Sequence, residues 1–487
     1  MAKFTFIDLF AGIGGFYQGL SNNGGECIGY SEINRDAIET YCENYNKKKE
    51  NNLGDITKIK ELPPHDILTA GVPCQSWSIA GKNLGFDDDR GQLWNDTIYL
   101  LKESKPKAFI FENVKGLADP RNKKALEYIL KRIKQAGYFA NTYLINSYDY
   151  GVAQNRIRLY IIGFKDKRYF DAFQLPKPLN KKIKLADILG VKVEEKNPQP
   201  LAKDLFGNEI KTKNMSLSST NGVNDYFLFN DLRNGATTIH SWDIIETTKR
   251  QKEICYLLLK NRRKSAYGKL DGNPLSLEHF QSLDKTVTQE ELDQLVELEI
   301  LKEVEYIFRI KENKDLNENE KLLLSKAIKN RVVLDELKTD KNLKLKKVSI
   351  PKTIISLKEK NILIVEEIRY EFKNSKISTG LFGINRIFLP NSNIFPTLVA
   401  SDTNDYITLK DIPHSLNYRE EFLKEVYFKN EYRKITKSEA CQIQGFPIDF
   451  KLPKVRARWM KLIGNSVSIP VIGVLVKAIV KTEVFNS

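Results

Sequence analysis

Histidine (4), methionine (3) and cysteine (5) are all scarce in this 487-residue chain. The cysteines, Cys27, Cys42, Cys74, Cys255 and Cys441, are odd in number and widely scattered. That spacing speaks against a disulfide framework and for a reducing cytoplasm. No CxxC pair and no HxxxH spacing occurs, so no zinc site and no other metal is expected. No apolar run reaches the ~18 residues of a membrane span. The opening MAKFTFIDLF has no charged leader, apolar block or small-residue cleavage site, so no secretory signal is read there. The hydrophobic share, 41%, is too high for a disordered chain. At ~150 residues per domain the length allows two to four domains. Lys plus Arg (77) exceeds Asp plus Glu (62), a net charge of +15. Such a balance fits a polyanionic partner, although a Lys-rich genome would give the same excess.

Residues 1–165 alternate between β-rich apolar runs and helical spacing. KFTFIDL (3–9), ECIGYSE (26–32), DILTAGV (66–72), KAFIFEN (107–113), YFANTYLIN and RLYIIGF read as strands. RDAIETYCENY, LWNDTIYLLKES and KALEYILKRIKQAGY between them have helical periodicity, the last stopping at Gly137. The pattern predicts an α/β fold with a mostly parallel sheet covered on both faces. QLPKPLNKK, near 175, reads as a linker, and 200–225 as loop. A helical block is expected over about 241–305. Residues 311–376 carry 17 Lys plus Arg against 11 Asp plus Glu, with β-type runs VVL, VSI, TIISL and NILIV. Residues 377–430 read as irregular and β-rich, and IPVIGVLVKAIVKTEVF as an apolar-striped helix.

Four segments of the first 165 residues carry chemistry. FIDLFAGIGGF (6–16) runs a strand into Gly12, Gly14 and Gly15 and then a helix. Free N–H groups there favour an anionic part of a ligand, and a plain tight turn explains the motif equally well. It is not GxGxxG, so a carboxylate-bearing ligand such as S-adenosylmethionine fits better than a dinucleotide. Glu32 ends the second strand about 20 residues on, where an acid can hold ribose hydroxyls. Asp55, in GDIT, is a candidate adenine contact; either acid alone reads more simply as a cap or surface charge. GVPCQSWSIAGK puts Cys74 in a polar loop after the third strand, a poor place for a core cysteine and a good one for a thiolate nucleophile. FENVKGL puts Glu112 and Asn113 where a buried strand emerges, which suits an acid of raised pKa, with a helix cap as the plain reading. QNRIRLYIIGF presents Arg156 and Arg158, an i, i+2 pair on one strand face.

In this order, FAGIGG, PCQ, ENV and QNRIR resemble the cofactor loop, nucleophile loop, acid motif and arginine motif of the DNA (cytosine-5) methyltransferase family, of bacterial restriction–modification type. DDDRGQLW (87–94), QIQGFP (442–447) and GNSVSIPV (464–471) resemble its connecting, recognition-domain and last cofactor motifs. The resemblance covers 1–165 and about 380–480, and leaves roughly 180–375 unaccounted for. It implies that Cys74 attacks cytosine C6, Glu112 serves ring N3, Arg158 contacts O2 and Arg156 supports it. It further implies an S-adenosylmethionine pocket lined by Phe10, Gly12, Gly14, Glu32, Asp55, Ile56, Leu93, Asn465 and Val467, with Gln75 and Ser78 beside the DNA. The substrate would be a cytosine flipped out of duplex DNA. The enzyme would be a monomer on DNA working beside a restriction endonuclease, with no membrane role. The alternatives are a tRNA methyltransferase of the same family and a catalytically silent DNA-binding regulator; the intact Pro73-Cys74-Gln75 and Glu112 speak against the latter.

The expected organisation is a catalytic domain over 1–180, a target-recognition domain over 181–454 and a returning segment over 455–487. Within the recognition domain, 241–310 looks like a winged helix-turn-helix, with a capping box from Thr288 to Glu291. A helical scaffold with solvated charges fits that stretch equally well. Arg262, Arg263 and Lys264 form its best phosphate-binding cluster.

Overall fold

The structure, a computed structural model, describes residues 3–73, 89–179, 183–193, 227–228, 241–270, 272–311, 315–340, 342–346, 348–373, 386–390, 392, 395–412 and 418–486. They fall into two compact units, one taking those up to 227 and from 387 onward, the other those from 228 to 386. Residues 387–454, expected in the recognition domain, thus cluster with the catalytic segments.

The first unit is built on strands β1 (Phe4–Leu9), β2 (Gly25–Ser31), β3 (Ile67–Gly71), β4 (Ala108–Val114), β5 (Phe139–Asn146), β6 (Gln154–Asn155) and β7 (Ile157–Phe164). Six of them form one sheet in the order β2-β1-β3-β4-β7-β5. The pairs from β2 to β4 are parallel, and β7 alone runs against its neighbours. Alternation within the strands sends side chains to two separate cores, because successive residues of a strand point to opposite faces. Phe4, Phe6, Ile67, Ala108 and Ile110 pack on one face with Phe16 and Leu20 and with Val471, Ile472 and Leu475. Those partners sit on helix α1 (Gly15–Ser21) and on the C-terminal helix Ile469–Val480. Ile7, Leu9, Leu68, Phe109 and Phe111 pack on the other face with Trp94, Ile98, Ile129 and Ile133. These belong to α3 (Asp89–Ser104) and α4 (Lys123–Gln135), which follow α2 (Arg35–Tyr45) in the chain. Burial on both faces is why these strands read as nearly continuous apolar runs.

The stretch Arg456–Val480 is long and apolar enough to cross a membrane by length and composition, contrary to the expectation of no such run. However, 67% of its apolar window is buried inside the protein. It is also interrupted at Ser466–Ser468, between the helices Arg456–Asn465 and Ile469–Val480. It reads as a core element.

The second unit holds helices Lys249–Asn261, Leu277–Leu283, Gln289–Glu297, Glu318–Leu324, Leu334–Thr339 and Ile350–Glu359. Its sheet has three antiparallel strands, Arg331–Val333, Leu301–Ile310 and Leu363–Phe372, with the second in the middle. Two expectations are corrected here. The helical block expected to about 305 ends at Glu297, because Glu299 turns left-handed (φ 58) and the chain re-emerges as strand at Leu301. TIISL, read as β-type, lies inside helix Ile350–Glu359. Pro351 opens that helix in its first turn, and Ile354 and Leu357, three apart, share its buried face.

Candidate active site

The carboxyl ends of β1 to β4 carry the candidate residues, as an open α/β sheet requires of a site. At the end of β1, Phe10 adopts a left-handed conformation (φ 53) and Gly12 follows with φ 56. A Cβ on Gly12 would meet nothing within 4 Å, so the backbone there borders open space. Gly14 is different: a Cβ on it would lie 2.2 Å from the Tyr45 ring, and the Tyr45 hydroxyl donates to its carbonyl at 2.9 Å. Gly14 therefore serves close packing against α2. Gly15 lets the returning segment approach, since its Cβ would sit 2.7 Å from Val467 Cγ2 and 2.8 Å from Ser466 Oγ. Val467 is buried and Asn465, two residues before it, is exposed beside the glycine loop.

Glu32 is fixed by backbone donors. The Gly12 N–H reaches its Oε2 at 2.9 Å, and the Ile33 and Asn34 N–H groups reach its Oε1 at 2.8 and 2.7 Å. Asn52, absent from the sequence reading, accepts from the Glu32 N–H at 3.0 Å and donates to the Glu32 carbonyl at 2.8 Å. It also accepts from the Gly54 N–H at 3.0 Å, which sets the GDIT turn against Glu32. Asp55 caps that turn through Thr57, whose N–H and hydroxyl hold its carboxyl below the usual range. Ile56 is buried in the core, and Leu93 packs half-buried against the same cluster. Ile33, next to Glu32, is 75% exposed, an apolar side chain facing solvent where a flat ring could lie.

Asp8 is a second residue the sequence reading missed. It is fully buried beneath the glycine loop, accepts from Thr69 Oγ1 at 3.0 Å, and leaves Oδ2 without a partner. Burial, opposed by the Thr69 bond and aided by the charge of Glu32, raises its pKa to about 8. No motif of charge or spacing marks an acid inside an apolar strand.

The acid and arginine motifs meet at β4. Gly71 of β3 stands in register with Glu112. The Asn113 side chain donates to the Val72 carbonyl at 3.1 Å, so the start of the PCQ loop is tied to the end of β4. Cys74, Gln75 and Ser78 themselves lie outside the described residues. Arg158 on β7 approaches Glu112, with Nε 3.1 Å from Oε1. Burial raises the Glu112 pKa, while Arg158 and then Arg156 oppose the shift.

Arg156 departs from its expected role. It occupies the break between β6 and β7, so the alternation that would put it beside Arg158 fails. It is 2% exposed and its guanidinium donates to the carbonyls of Leu398 (3.2 Å), Gly464 (3.1 Å) and Ser466 (2.6 Å). Gln444 of QIQGFP joins the same knot, accepting from Gln154 at 3.1 Å and donating to the Ser466 carbonyl at 2.8 Å. QNRIR, QIQGFP and GNSVSIPV thus converge on one buried junction, where Arg156 is held among backbone carbonyls. Arg262 is corrected on similar grounds. It is buried, lies 3.6 Å from Glu371 and stacks over Phe372, which leaves Arg263 and Lys264 as the exposed cations of that cluster. Among the described residues no cluster of metal-ligating side chains occurs.

These elements are those of a methyltransferase sheet with a glycine-loop ligand site and a separate acid–arginine pair. The comparisons agree. Residues 4–481 match the family described as C-5 cytosine-specific DNA methylase. The chain is 40% identical to the Type II methyltransferase M.HgiBI of Herpetosiphon aurantiacus, covering 100% of this chain and 99% of that one. It is 39% identical to the Type II methylase M.HgiEI of the same organism, with the same coverage. It is 30% identical to the Type II methyltransferase M.NlaIV of Neisseria lactamica, over 97% of each. The chain belongs to the C-5 cytosine-specific DNA methylase family, whose methyl donor is S-adenosylmethionine.

Proposed function

We propose that the protein is a sequence-specific DNA cytosine-5 methyltransferase that protects host DNA in a type II restriction–modification system, acting in the cytoplasm as a monomer beside a cognate endonuclease. The register of Gly71 with Glu112, with Arg158 on the acid's far side, is the observation that carries this reading. It ties the strand that leads into the PCQ loop to a carboxyl that burial pushes towards its protonated form. The full-length match to the family favours DNA over tRNA and an active enzyme over a silent regulator.

The cofactor site fits its ligand. Open space at Gly12 admits a methionine moiety against the backbone, Glu32 is anchored to meet ribose hydroxyls, and Asp55 and Ile33 flank the place of the adenine. S-adenosylmethionine bound there supplies an electrophilic methyl group. The rest is the work of side chains. The Cys74 thiolate adds to C6 of a flipped cytosine, making C5 nucleophilic. Glu112, its pKa raised by burial, donates to N3 as negative charge develops on the ring. Arg158 keeps Glu112 oriented and faces the base carbonyl. After methylation a base, for which solvent water suffices, takes the C5 proton, the C5–C6 double bond re-forms and the C6–S bond breaks, releasing the Cys74 thiolate. Arg263 and Lys264 contribute phosphate contacts.

The test is duplex DNA carrying 5-fluorocytosine, whose fluorine cannot leave as a cation. Wild-type protein should form an adduct that survives denaturation, and Cys74→Ser should form none while binding cofactor within a few-fold of wild type. Methyl transfer by Cys74→Ser at the wild-type rate would refute the covalent route.

A further inference from the structure

The second unit repeats its own plan. Strands Leu301–Ile310 and Leu363–Phe372 are 62 positions apart and equally long. Leu301 faces Phe372 and Leu363 faces Ile310, so exchanging the two strands leaves the pairing unchanged. Outside them, Leu275 bridges Tyr370 and Val332 pairs with Phe308, which is again one relation seen twice. Each strand follows a helix pair: Leu277–Leu283 with Gln289–Glu297, and Leu334–Thr339 with Ile350–Glu359. Each is preceded by one more helix, Lys249–Asn261 or Glu318–Leu324. Glu299 and Asn361, 62 apart, both turn left-handed at φ 58 between helix and strand. Leu292, Leu295 and Ile300 are buried, as are Ile354, Leu357 and Ile362 at the same spacing.

We propose that this unit is a duplicated winged helix-turn-helix and that only its second copy, through helix Ile350–Glu359, enters the major groove of the target duplex. Helix, short strand, two helices and a strand is the order of such a module, and the last helix before the strand is the one that reads DNA. The inference rests on the reading above that duplex DNA is the substrate.

Charge decides between the copies. Helix Gln289–Glu297 carries Glu290, Glu291, Asp293 and Glu297 and no cation, and Glu291 is bound to Arg250. Phosphates repel that face. Helix Ile350–Glu359 has no acid in its first turn and follows a segment bearing Lys344 and Lys346. Lys352 stands where the first copy has Glu290, and Ile355 where it has Asp293. Among the described residues, Lys344 and Lys352 have no carboxylate within ion-pair reach, whereas Lys346 pairs with Glu318 and Lys358 with Glu305. Ile355 is 53% exposed and lies one turn from Lys352 and Pro351, both solvent-facing, while the N-cap Ser349 is exposed one turn before Lys352. A lysine, a hydroxyl and an exposed branched aliphatic in the first two turns match phosphate, base edge and thymine methyl in a groove.

The experiment compares full-length wild type, Lys352→Ala, Ile355→Ala and, at the equivalent place in the first copy, Glu290→Ala. Duplex binding is titrated at several salt concentrations, and methylated positions are mapped by bisulfite sequencing. Lys352→Ala should weaken binding about ten-fold and lower the salt slope by roughly one unit. It should leave kcat at saturating DNA and the KM for S-adenosylmethionine as in wild type. Ile355→Ala should relax preference at one base position of the methylated site. Glu290→Ala should change none of these. Wild-type affinity and salt slope in Lys352→Ala, or an equal loss in Glu290→Ala, would overturn the assignment. Binding is read without methyl transfer, so a failure of the proposed activity, seen as wild type that binds but does not methylate, stays distinct from a failure of this helix to contact DNA.

Discussion

Replacing Arg156 with alanine should destabilise the first unit by about 3 kcal/mol and weaken cofactor binding before it affects chemistry. The guanidinium serves the carbonyls of Leu398, Gly464 and Ser466. After truncation the Ser466 carbonyl keeps its bond from Gln444, so two buried carbonyls lose their donor. A buried polar group left unsatisfied costs about 1–3 kcal/mol, which brackets the loss at about 2–6 kcal/mol. The vacated volume is polar enough to admit water, which lowers the figure, and removing a buried charge returns its desolvation cost. Hence the value near the low end. The consequence reaches the cofactor because Gly464–Ser466 leads into Val467, which packs against Gly15. Urea denaturation of the cofactor-free protein gives the stability, and a cofactor titration gives the second effect, expected as a rise of ten-fold or more in Kd. Arg156→Lys should recover part of both, since one ammonium cannot span three carbonyls. A stability change under about 1 kcal/mol with unchanged cofactor affinity would refute the positioning role and return Arg156 to the reacting base.

Two further outcomes follow from the glycine loop and its buried acid. Asp8 has a folded pKa of about 8 against an ordinary 3.8, so folding takes up a proton between those values. The stability it confers is full below about pH 4 and is lost as pH rises to about 8. Relative to Asp8→Asn, the wild type should therefore lose up to ~1.4 kcal/mol per pH unit between 5 and 7, read by denaturation at each pH, and a flat difference would contradict the assignment. Gly15→Ala should lower cofactor affinity about 5- to 150-fold, the equivalent of the ~1–3 kcal/mol of an overpacked site, because the new methyl meets Val467 and Ser466. Calorimetric titration with S-adenosylmethionine checks it, and wild-type affinity would mean that the returning turn is free to shift.

The catalytic strands were legible because burial on both faces leaves an uninterrupted apolar run whose single charge, as at Glu112, marks the exit. The glycine turn and the placement of Glu32 and Asp55 at the ends of their elements were legible because short stretches of backbone fix each of them. What escaped was set over long distance. Gln154 meets Gln444 across 290 positions, and no local pattern announces the pair. Arg156 misled because an i, i+2 spacing implies one face only if the strand is continuous, and here it breaks between Asn155 and Ile157. Arg262 misled because a basic triplet says nothing of which member turns inward at a helix end, and that end folds back with Asn273 donating to the Arg262 carbonyl.

The duplication in the second unit escaped for a more instructive reason. Its copies agree at the buried positions, where Leu292 matches Ile354 and Leu295 matches Leu357, and apolar identity is interchangeable there so long as volume is kept. They disagree on the surface, where Glu290 stands against Lys352. A fold constrains only the first set. A duplex constrains the second, and on these helices only in the copy whose last helix enters the groove. The first helical turns carry the contrast, Glu290 and Asp293 against Lys352 and Ile355, while the helix ends agree at Glu297 and Glu359. A contrast confined to the turn that would enter a groove is what a pair with one groove-entering member should show.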